Sequence, residues 1–391
     1  MMFSLSTEEL KQKGAEITSR EIKQQPELWK ENLALYEEIK ADIKEFLSKV
    51  EASADGQKIR VVFTGAGTSQ YVGDTLVPYL NLKGDTQKYI FQSIGTTDLV
   101  ARPTEYLFEK EPTLLVSFAR SGNSPESIAA VDVANKVVKN IHHLTVTCAP
   151  EGALAKRSKE ENNNFLFLAP ARSNDDGFAM TGSFTCMALT SLLIFDTSSE
   201  EQKASDVQKL SHMAKEVITR ENEVQEIVDQ DFERIVYLGS GSLSGLTREA
   251  QLKILELTAG QIATIFDSSM GFRHGPKSFV NDKTIVFGFV NNNEYTRDYD
   301  LDMLEEVKAD EIAKDVIAIG QMGERNFTGT QFTFSEEQRL LPDGYLALAD
   351  IVFAQTVAIM TSLKLKNTPD TPSATGTVNR VVKGVTIHDY K

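Results

Sequence analysis

The chain has little of several residue types that mark whole classes of protein. It has only two cysteines among 391 residues, too few for a disulfide framework or a cysteine zinc site. Cys148 and Cys186 lie in apolar stretches, so we expect them to be small core residues. Basic residues are also in deficit, with 41 Lys and Arg against 56 Asp and Glu and a net charge of −15. This balance argues against nucleic acid or an anionic membrane as the main partner, but not against a small anionic ligand.

Long hydrophobic runs are a further expected absence. The N-terminus "MMFSLSTEELKQKG" has no apolar signal segment, and we expect no run to approach the length of a membrane span. Apolar residues make up 41% of the chain and charged residues 25%, which is typical of a globular protein with room for two domains. We therefore expect a cytoplasmic enzyme.

The first 50 residues have the spacing of helices. Ser6 and Glu9 form a potential capping box, and "LWKENLALYEEIKADIKEFL" (28–47) has apolar residues at helical intervals. Beyond residue 50, short apolar runs alternate with amphipathic segments. This pattern predicts βαβ units and parallel sheets.

The α/β part of the sequence repeats itself. "IRVVFTGAGTS" (59–69) matches "ERIVYLGSGSL" (233–243), "TLLVSF" (113–118) matches "TIVFGF", and "HHLTVTC" (142–148) matches "DVIAIGQ", all at offsets of 171 to 174 residues. A constant offset indicates a duplicated domain. Polar residues interrupt the pattern at 196–205. We therefore predict an N-terminal helical segment (1–50), a first α/β domain (51–200) and a second one (206–391).

Two turns of the first copy have the composition of an anion site. "TGAGTSQ" (64–70) and "ARSGNSPES" (119–127) each follow a predicted strand and precede a predicted helix, where ligands of open parallel sheets bind. Their glycines permit close backbone approach, and Ser69, Ser121 and Ser124 add hydroxyl donors. Ordinary helix capping explains one such turn. Two serine-rich turns after predicted strands favour a phosphate monoester.

Other phosphate motifs do not fit. The sequence has no G-x-x-x-x-G-K-[ST], and Gln70 stands where a dinucleotide fingerprint has its third glycine. The second copy has "VNNNEYTRDYD" (290–300) in place of the serine-rich turn. We therefore expect the first copy alone to bind phosphate.

The two turns resemble those of a known family. "TGAGTSQYVGD" followed by "VSFARSGNSPES" is similar to the sugar isomerase (SIS) domain, and the duplication resembles the isomerase half of glucosamine-6-phosphate synthase. The AgaS-type group of tagatose-6-phosphate ketose/aldose isomerases or galactosamine-6-phosphate deaminases is more similar still. Four stretches carry this further resemblance: "REIKQQPELW" (20–29), "GFAMTGSFTCM" (177–187), "FDSSMGFRHGPKSF" (266–279) and "GTVNRVVKGVTI" (376–387). The resemblance implies two tandem flavodoxin-like SIS domains.

The resemblance also implies site residues. Glu256 matches the proton-transferring glutamate, His274 the histidine that opens the sugar ring, and Lys383 the late lysine of the active-site tail. Arg120 stands where the synthase family has a glutamine, and the spacing from glutamate to histidine is slightly longer here. The implied phosphate-binding residues are Gly67, Thr68, Ser69, Arg120, Ser121, Asn123 and Ser124.

The predicted helix around Glu256 has an unusual charge pattern. Glu249, Lys253 and Glu256 fall on one helical face among leucines and isoleucines. From the residues alone, a solvated stripe of ion pairs is the simpler interpretation. With the resemblance, Glu256 becomes the candidate for moving a proton between C1 and C2, with Lys253 or Lys383 stabilising developing oxyanion charge.

His274 lies in a turn with Gly275 and Pro276, a setting suited to a loop residue that transfers protons. The other four histidines are interpreted as structural or surface residues. Apolar Phe266, Met270 and Phe272 near His274 are expected to be exposed and covered by a second subunit. In the two-SIS synthases the matching histidine reaches the partner's site, so we predict a homodimer or higher homo-oligomer. The alternative is that the loop folds over its own chain's site.

The resemblance implies an enzyme that acts on a phosphorylated sugar or amino sugar. The expected reaction converts galactosamine 6-phosphate to tagatose 6-phosphate and ammonia. An isomerase without deamination and a non-catalytic sugar-phosphate sensor remain alternatives. No cofactor or metal is expected, because no His, Asp or Glu cluster has metal-ligand spacing.

Overall fold

The first half of the chain contains a five-stranded parallel sheet. The computed structural model describes residues 1–335, 340–376, 378–380 and 384–391. The strands of the sheet are β1 (Ile59–Thr64), β2 (Tyr89–Ser93), β3 (Thr113–Ala119), β4 (Ile141–Thr147) and β5 (Asn164–Leu168). They lie in the order β2-β1-β3-β4-β5, and every neighbouring pair is parallel. This is the strand order of flavodoxin-like folds.

A second five-stranded parallel sheet repeats that topology. Its strands are β6 (Arg234–Gly239), β7 (Ala263–Ser268), β8 (Thr284–Phe289), β9 (Asp315–Gln321) and β10 (Thr330–Phe334). Their order is β7-β6-β8-β9-β10, so β1, β3 and β4 correspond to β6, β8 and β9. The duplication that the constant offset predicts is therefore confirmed, and so is the fold class.

Helices connect and flank the strands. The described α-helices are α1 (Thr7–Gln12), α2 (Glu16–Ser53), α3 (Thr68–Lys83), α4 (Thr96–Ala101), α5 (Pro103–Tyr106), α6 (Pro125–Val137), α7 (Ala153–Glu160), α8 (Gly182–Phe195), α9 (Glu200–Thr219), α10 (Glu221–Val228), α11 (Ser242–Leu257), α12 (Glu294–Ala309) and α13 (Asp343–Lys364). The predicted N-terminal helical segment corresponds to α1 and α2, and the capping box of Ser6 and Glu9 is present.

The chain forms two compact units that interleave along the sequence. The first-sheet unit contains residues 28–175, 182–204 and 378–391. The second-sheet unit contains residues 1–27, 176–181 and 205–377. The bounds of 1–50, 51–200 and 206–391 stay a prediction.

Three of the central strands are buried along their whole length. Every residue of β1, β3 and β8 is buried, as expected when a parallel sheet is covered on both faces. Cys148 and Cys186 are both buried, which confirms that they are core residues. Burial raises the pKa of the Cys148 thiol to about 12, so this thiol is not primed for reaction.

One apolar helix corrects an expectation from the sequence. The helix α13 is long and apolar enough to cross a membrane, so the expectation that no run approaches that length was wrong. Its most apolar 18-residue window is 94% buried within the protein. The helix therefore has the burial of a core helix.

Candidate functional site

The two serine-rich turns lie at one edge of the first sheet. The strands β1 and β3 pair in parallel, with Thr64 opposite Ser117. Because the carboxyl ends of parallel neighbours meet at the same edge, the turns at 65–67 and 120–124 are neighbours there. The structure thus brings together the two segments that the sequence singled out.

The first turn requires glycine at two positions. Gly67 precedes α3 with φ of +56°, in the region that favours glycine. A Cβ at Gly65 would lie 2.5 Å from the backbone of Ser69. These glycines let the chain turn sharply from β1 into α3, which brings Thr68 and Ser69 into the first helical turn. The start of α3 thus combines hydroxyls with the positive end of a helix.

The second turn combines a left-handed glycine with a helix start. Gly122 has φ of +66°, and Ser124 is the N-cap residue of α6, ahead of Pro125. The Asn123 side-chain oxygen accepts a hydrogen bond from the backbone N–H of Ala153 at 3.0 Å. The Asn123 backbone N–H donates to Ser121 Oγ at 3.3 Å. Asn123 therefore has a structural task at the start of α7, beside its predicted role.

Arg120 connects this turn to the C-terminal segment. The side chain is buried, and its Nη2 donates to the carbonyl oxygen of Arg380 at 2.6 Å. Arg380 Nε in turn donates to the carbonyl oxygen of Asp175 at 2.9 Å. The guanidinium of Arg120 thus joins segments far apart in sequence, and its contact with phosphate stays a prediction.

The charged face of α11 is buried. Glu249 and Lys253 are 0% exposed, and the Glu256 side chain is 22% exposed. Lys253 Nζ lies 3.2 Å from Glu249 Oε1 and 2.7 Å from Glu256 Oε2. The simpler interpretation, a solvated stripe, is therefore wrong. Buried charges of this kind need close partners, and Glu256 alone of the three keeps access to solvent.

The electrostatics of Lys253 keep it charged. Burial by itself would lower the pKa of Lys253, but the carboxylates of Glu249 and Glu256 outweigh burial, so the pKa is raised. The Lys253 ammonium thus places a positive charge next to the Glu256 carboxylate.

A loop that the sequence reasoning did not assign supports Lys253. Its Nζ donates to the carbonyl oxygen of Met180 at 3.3 Å. The same loop is held by buried Glu21, whose carboxylate accepts from the N–H groups of Asp176 at 2.6 Å and Gly177 at 3.2 Å. Glu21 falls in the stretch 20–29, and Gly177 and Met180 fall in the stretch 177–187, both of which carry the family resemblance. The family resemblance of these two stretches was the signal in the sequence that could have identified the loop.

His274 lies on an exposed turn of the second-sheet unit, between short 3-10 helices at Gly271–Arg273 and Pro276–Phe279. In the part of the chain that the structure describes, its imidazole has no hydrogen bond or ion pair with Glu256. Phe266 and Met270 are exposed as expected, at 40% and 46%. Phe272 is fully buried, so the expectation of exposure was wrong for that residue, which packs in the core below the turn.

Lys383 lies outside the described residues. Among the residues that are described, no group of three or more His, Cys, Asp or Glu side chains is placed to hold a metal ion.

Comparison with known proteins reveals close relatives. The SIS domain model matches residues 56–195. The D-galactosamine-6-phosphate deaminase AgaS of Escherichia coli is 42% identical over 376 residues, which cover 96% of each chain.

Solved structures agree with this relationship. The tagatose-6-phosphate ketose/aldose isomerase from Escherichia coli is 39% identical, covers 96% of both chains and has a TM-score of 0.86. A structure from Clostridium novyi NT is 43% identical, with a TM-score of 0.93 over 100% of this chain and 99% of that one. These similarities extend over both sheets and are not limited to the serine-rich turns.

Proposed function

Because this chain belongs to the SIS domain family, with full-length relatives of the AgaS type, we propose that it is an amino-sugar phosphate deaminase/isomerase. Its substrate is galactosamine 6-phosphate, and its products are tagatose 6-phosphate and ammonia. The observation that carries the proposal is the buried Lys253 ammonium, 2.7 Å from a partly exposed Glu256 carboxylate. A sensor that only binds a sugar phosphate would have no need for a Glu256/His274 pair.

The proposed reaction begins with opening of the sugar ring. His274 moves the proton of the C1 hydroxyl to the ring oxygen, the bond between C1 and that oxygen breaks, and an aldehyde forms at C1. Glu256 then takes the proton from C2, the electron pair of that bond forms the C1–C2 double bond of an enolamine, and the aldehyde oxygen takes up a proton to become a hydroxyl. Return of the proton from Glu256 to C1 and loss of one proton from the nitrogen leave a ketimine at C2 and a hydroxyl at C1. Water adds to that carbon and ammonia departs, so one water is consumed for each ammonia released.

The charges around Glu256 suit this shuttle. Lys253 is the candidate for stabilising the oxygen of the enolamine, together with Lys383. Ser69, Ser121 and Ser124 are proposed to hold the phosphate, with Gly67, Thr68, Arg120 and Asn123 in the same turns. Phosphate binding far from the reacting carbons would position C1 and C2 for proton transfer.

The test measures ammonia and ketose phosphate from a panel of hexosamine 6-phosphates. We expect equimolar ammonia and tagatose 6-phosphate from galactosamine 6-phosphate. Glu256→Gln, prepared in the same way, controls for a contaminating enzyme and should give neither product. Interconversion of aldose and ketose phosphates without ammonia would favour the isomerase alternative. Saturable binding without any turnover would favour the sensor.

We further propose that the enzyme is a homodimer in which His274 acts at the partner's site. Exposed Phe266 and Met270 on the His274 segment, together with exposed Leu255, support a covered surface there. The test mixes two inactive proteins, Ser121→Ala/Glu256→Gln and His274→Ala, under conditions of verified subunit exchange. Partial recovery is expected, because one site then combines three intact residues. No recovery would mean that each chain uses its own histidine.

A cytoplasmic location is part of the same proposal. A sugar phosphate is charged and does not cross a bilayer unaided, so the enzyme is expected where its substrate is made. The net charge of −15 argues against nucleic acid or an anionic membrane as a partner.

A further inference from the structure

The second sheet has its own counterpart of the two serine-rich turns. Gly241 precedes α11 with φ and ψ of 56° and −127°, against 56° and −128° for Gly67 before α3. The strands β6 and β8 pair in parallel as β1 and β3 do. The turns at 239–241 and 290–293 therefore correspond to the turns at 65–67 and 120–124.

In the second copy, the carboxylate of Asp300 is bound by the turns at 239–241 and 290–293. Asp300 Oδ1 accepts from Ser240 Oγ at 2.5 Å and from Ser269 Oγ at 2.6 Å. Its Oδ2 accepts from the backbone N–H of Asn291 at 3.1 Å and from Asn291 Nδ2 at 2.9 Å. Asp300 is 1% exposed. Hydroxyl and backbone N–H groups are the donors that a bound phosphate would use.

The next residue of the same turn is also bound internally. The backbone N–H of Asn292 donates to Asp343 Oδ1 at 2.8 Å. Nearby, Arg297 Nη1 donates to the Asn291 carbonyl oxygen at 3.0 Å. In the first copy, by contrast, no carboxylate among the described residues accepts from the backbone N–H groups of residues 121–124. In the second copy, two consecutive backbone N–H groups, of Asn291 and Asn292, therefore donate to carboxylates of the protein.

The carboxylate is particular to the second copy. Asp300 is the seventh residue of α12, and the sixth and seventh residues of α6 are Ala130 and Val131, both buried apolar residues of the first core. The two copies therefore differ in whether this part of the helix carries a carboxylate that accepts from the turn.

We infer that Asp300 is a built-in substitute for a ligand phosphate, which closes the second domain's copy of the anion site and leaves each chain with one phosphate site. The identity of the replaced ligand rests on the proposed function, because it is taken from the first copy. The donors at 240, 269 and 291 remain in place when the carboxylate is removed. Asp300→Ala is therefore expected to open a new site for an inorganic anion.

The experiment uses the full chain with the first site disabled by Ser69→Ala and Ser121→Ala. Melting temperature is measured against inorganic phosphate at constant ionic strength, with and without Asp300→Ala. The control is Asp302→Ala, an exposed residue of the same helix that pairs with Arg325. We expect the melting temperature to rise saturably with phosphate only in the protein that carries Asp300→Ala. The expected rise is about 1–3 °C at a phosphate concentration ten times the dissociation constant.

Formate, a one-carbon carboxylate, is the second probe. Saturable stabilisation by phosphate supports the inference, whether or not formate also stabilises. Stabilisation by formate alone would overturn it, because the site would then fit only a carboxylate. No stabilisation beyond the Asp302→Ala control would overturn it as well.

Two further readouts keep the test decisive. If Asp300→Ala does not fold, refolding yield is measured against phosphate, and a yield independent of phosphate overturns the inference. The background protein with intact Asp300 tests the first site separately. A phosphate response that survives Ser69→Ala and Ser121→Ala would count against the proposed function, and the Asp300 comparison would still stand.

Discussion

Lys253 is a fully buried cation, and Lys253→Met should therefore be among the most destabilising single substitutions in α11. Its Nζ lies between Glu249 Oε1 at 3.2 Å and Glu256 Oε2 at 2.7 Å. Methionine has a similar length and no charge. The substitution removes the ion pair of Glu249, whose carboxylate is 0% exposed and cannot be rehydrated without opening the core.

Removal of one partner from a buried ion pair costs about 3–5 kcal/mol, whereas replacement of both partners by apolar residues is often neutral. Glu256 is 22% exposed and can recover water, so we assign most of the cost to Glu249. We therefore expect Lys253→Met to lower the free energy of unfolding by about 3–5 kcal/mol. The double variant Glu249→Leu/Lys253→Met should recover most of that loss.

The assay is urea unfolding at pH 7, followed by circular dichroism and by fluorescence, because two compact units can unfold separately. Lys49→Met is the matched control, since Lys49 pairs with Glu45 on the surface and is 69% exposed. Its cost should stay within about 0.5 kcal/mol. A cost below about 1 kcal/mol for Lys253→Met, or a double variant no more stable than the single one, would refute the reasoning.

Three other outcomes can be checked directly. Glu256→Gln should abolish turnover with substrate affinity nearly unchanged, because glutamine keeps the shape but accepts no proton; turnover within tenfold of wild type in a coupled ammonia assay would move the role to another residue. Ser121→Ala should raise KM by a factor that corresponds to about 1–3 kcal/mol, with a smaller effect on kcat, and an unchanged KM in the Ser69→Ala/Ser121→Ala double variant would contradict the phosphate site. Burial lowers the pKa of His143 to about 4 from 6.5, so the unfolded chain binds more protons between these values, and stability is lost as pH falls from 6.5 towards 4. His143→Gln should remove about 2.5 kcal/mol of that loss, measured as the difference in unfolding free energy between pH 7 and pH 4.5, and a pH dependence equal to that of the wild-type protein would contradict this.

Much of the fold could be predicted because it depends on local patterns. Apolar runs of strand length, separated by helical segments, determine a parallel α/β sheet whatever the details of packing. The constant offset between copies then fixed which strands correspond. The length and apolar composition of α13 could also have been predicted from the sequence, although we expected no apolar segment of that length.

The candidate site could be predicted only in part. Glycine-rich turns can be recognised from the sequence because their constraints are local: a Cβ at Gly65 would meet the backbone of Ser69 four residues away, and Gly67 adopts a positive φ. Phe272 was misjudged, since its burial depends on core residues far along the chain. The contact between Arg120 and the carbonyl of Arg380 spans 260 residues, and no local signal encodes such a contact.

The sequence by itself determined the two α/β copies, the loss of the serine-rich turn from the second copy, and the charged face of α11. Tertiary structure alone decided that this face is buried, because burial depends on what packs against a helix and not on the helix's own spacing. Tertiary structure also decided that the Asp300 carboxylate binds the donors of the second copy's two turns. The carboxylate reaches Ser240 from 60 residues away and Ser269 from 31 residues away, and only the folded sheet brings these strand ends together.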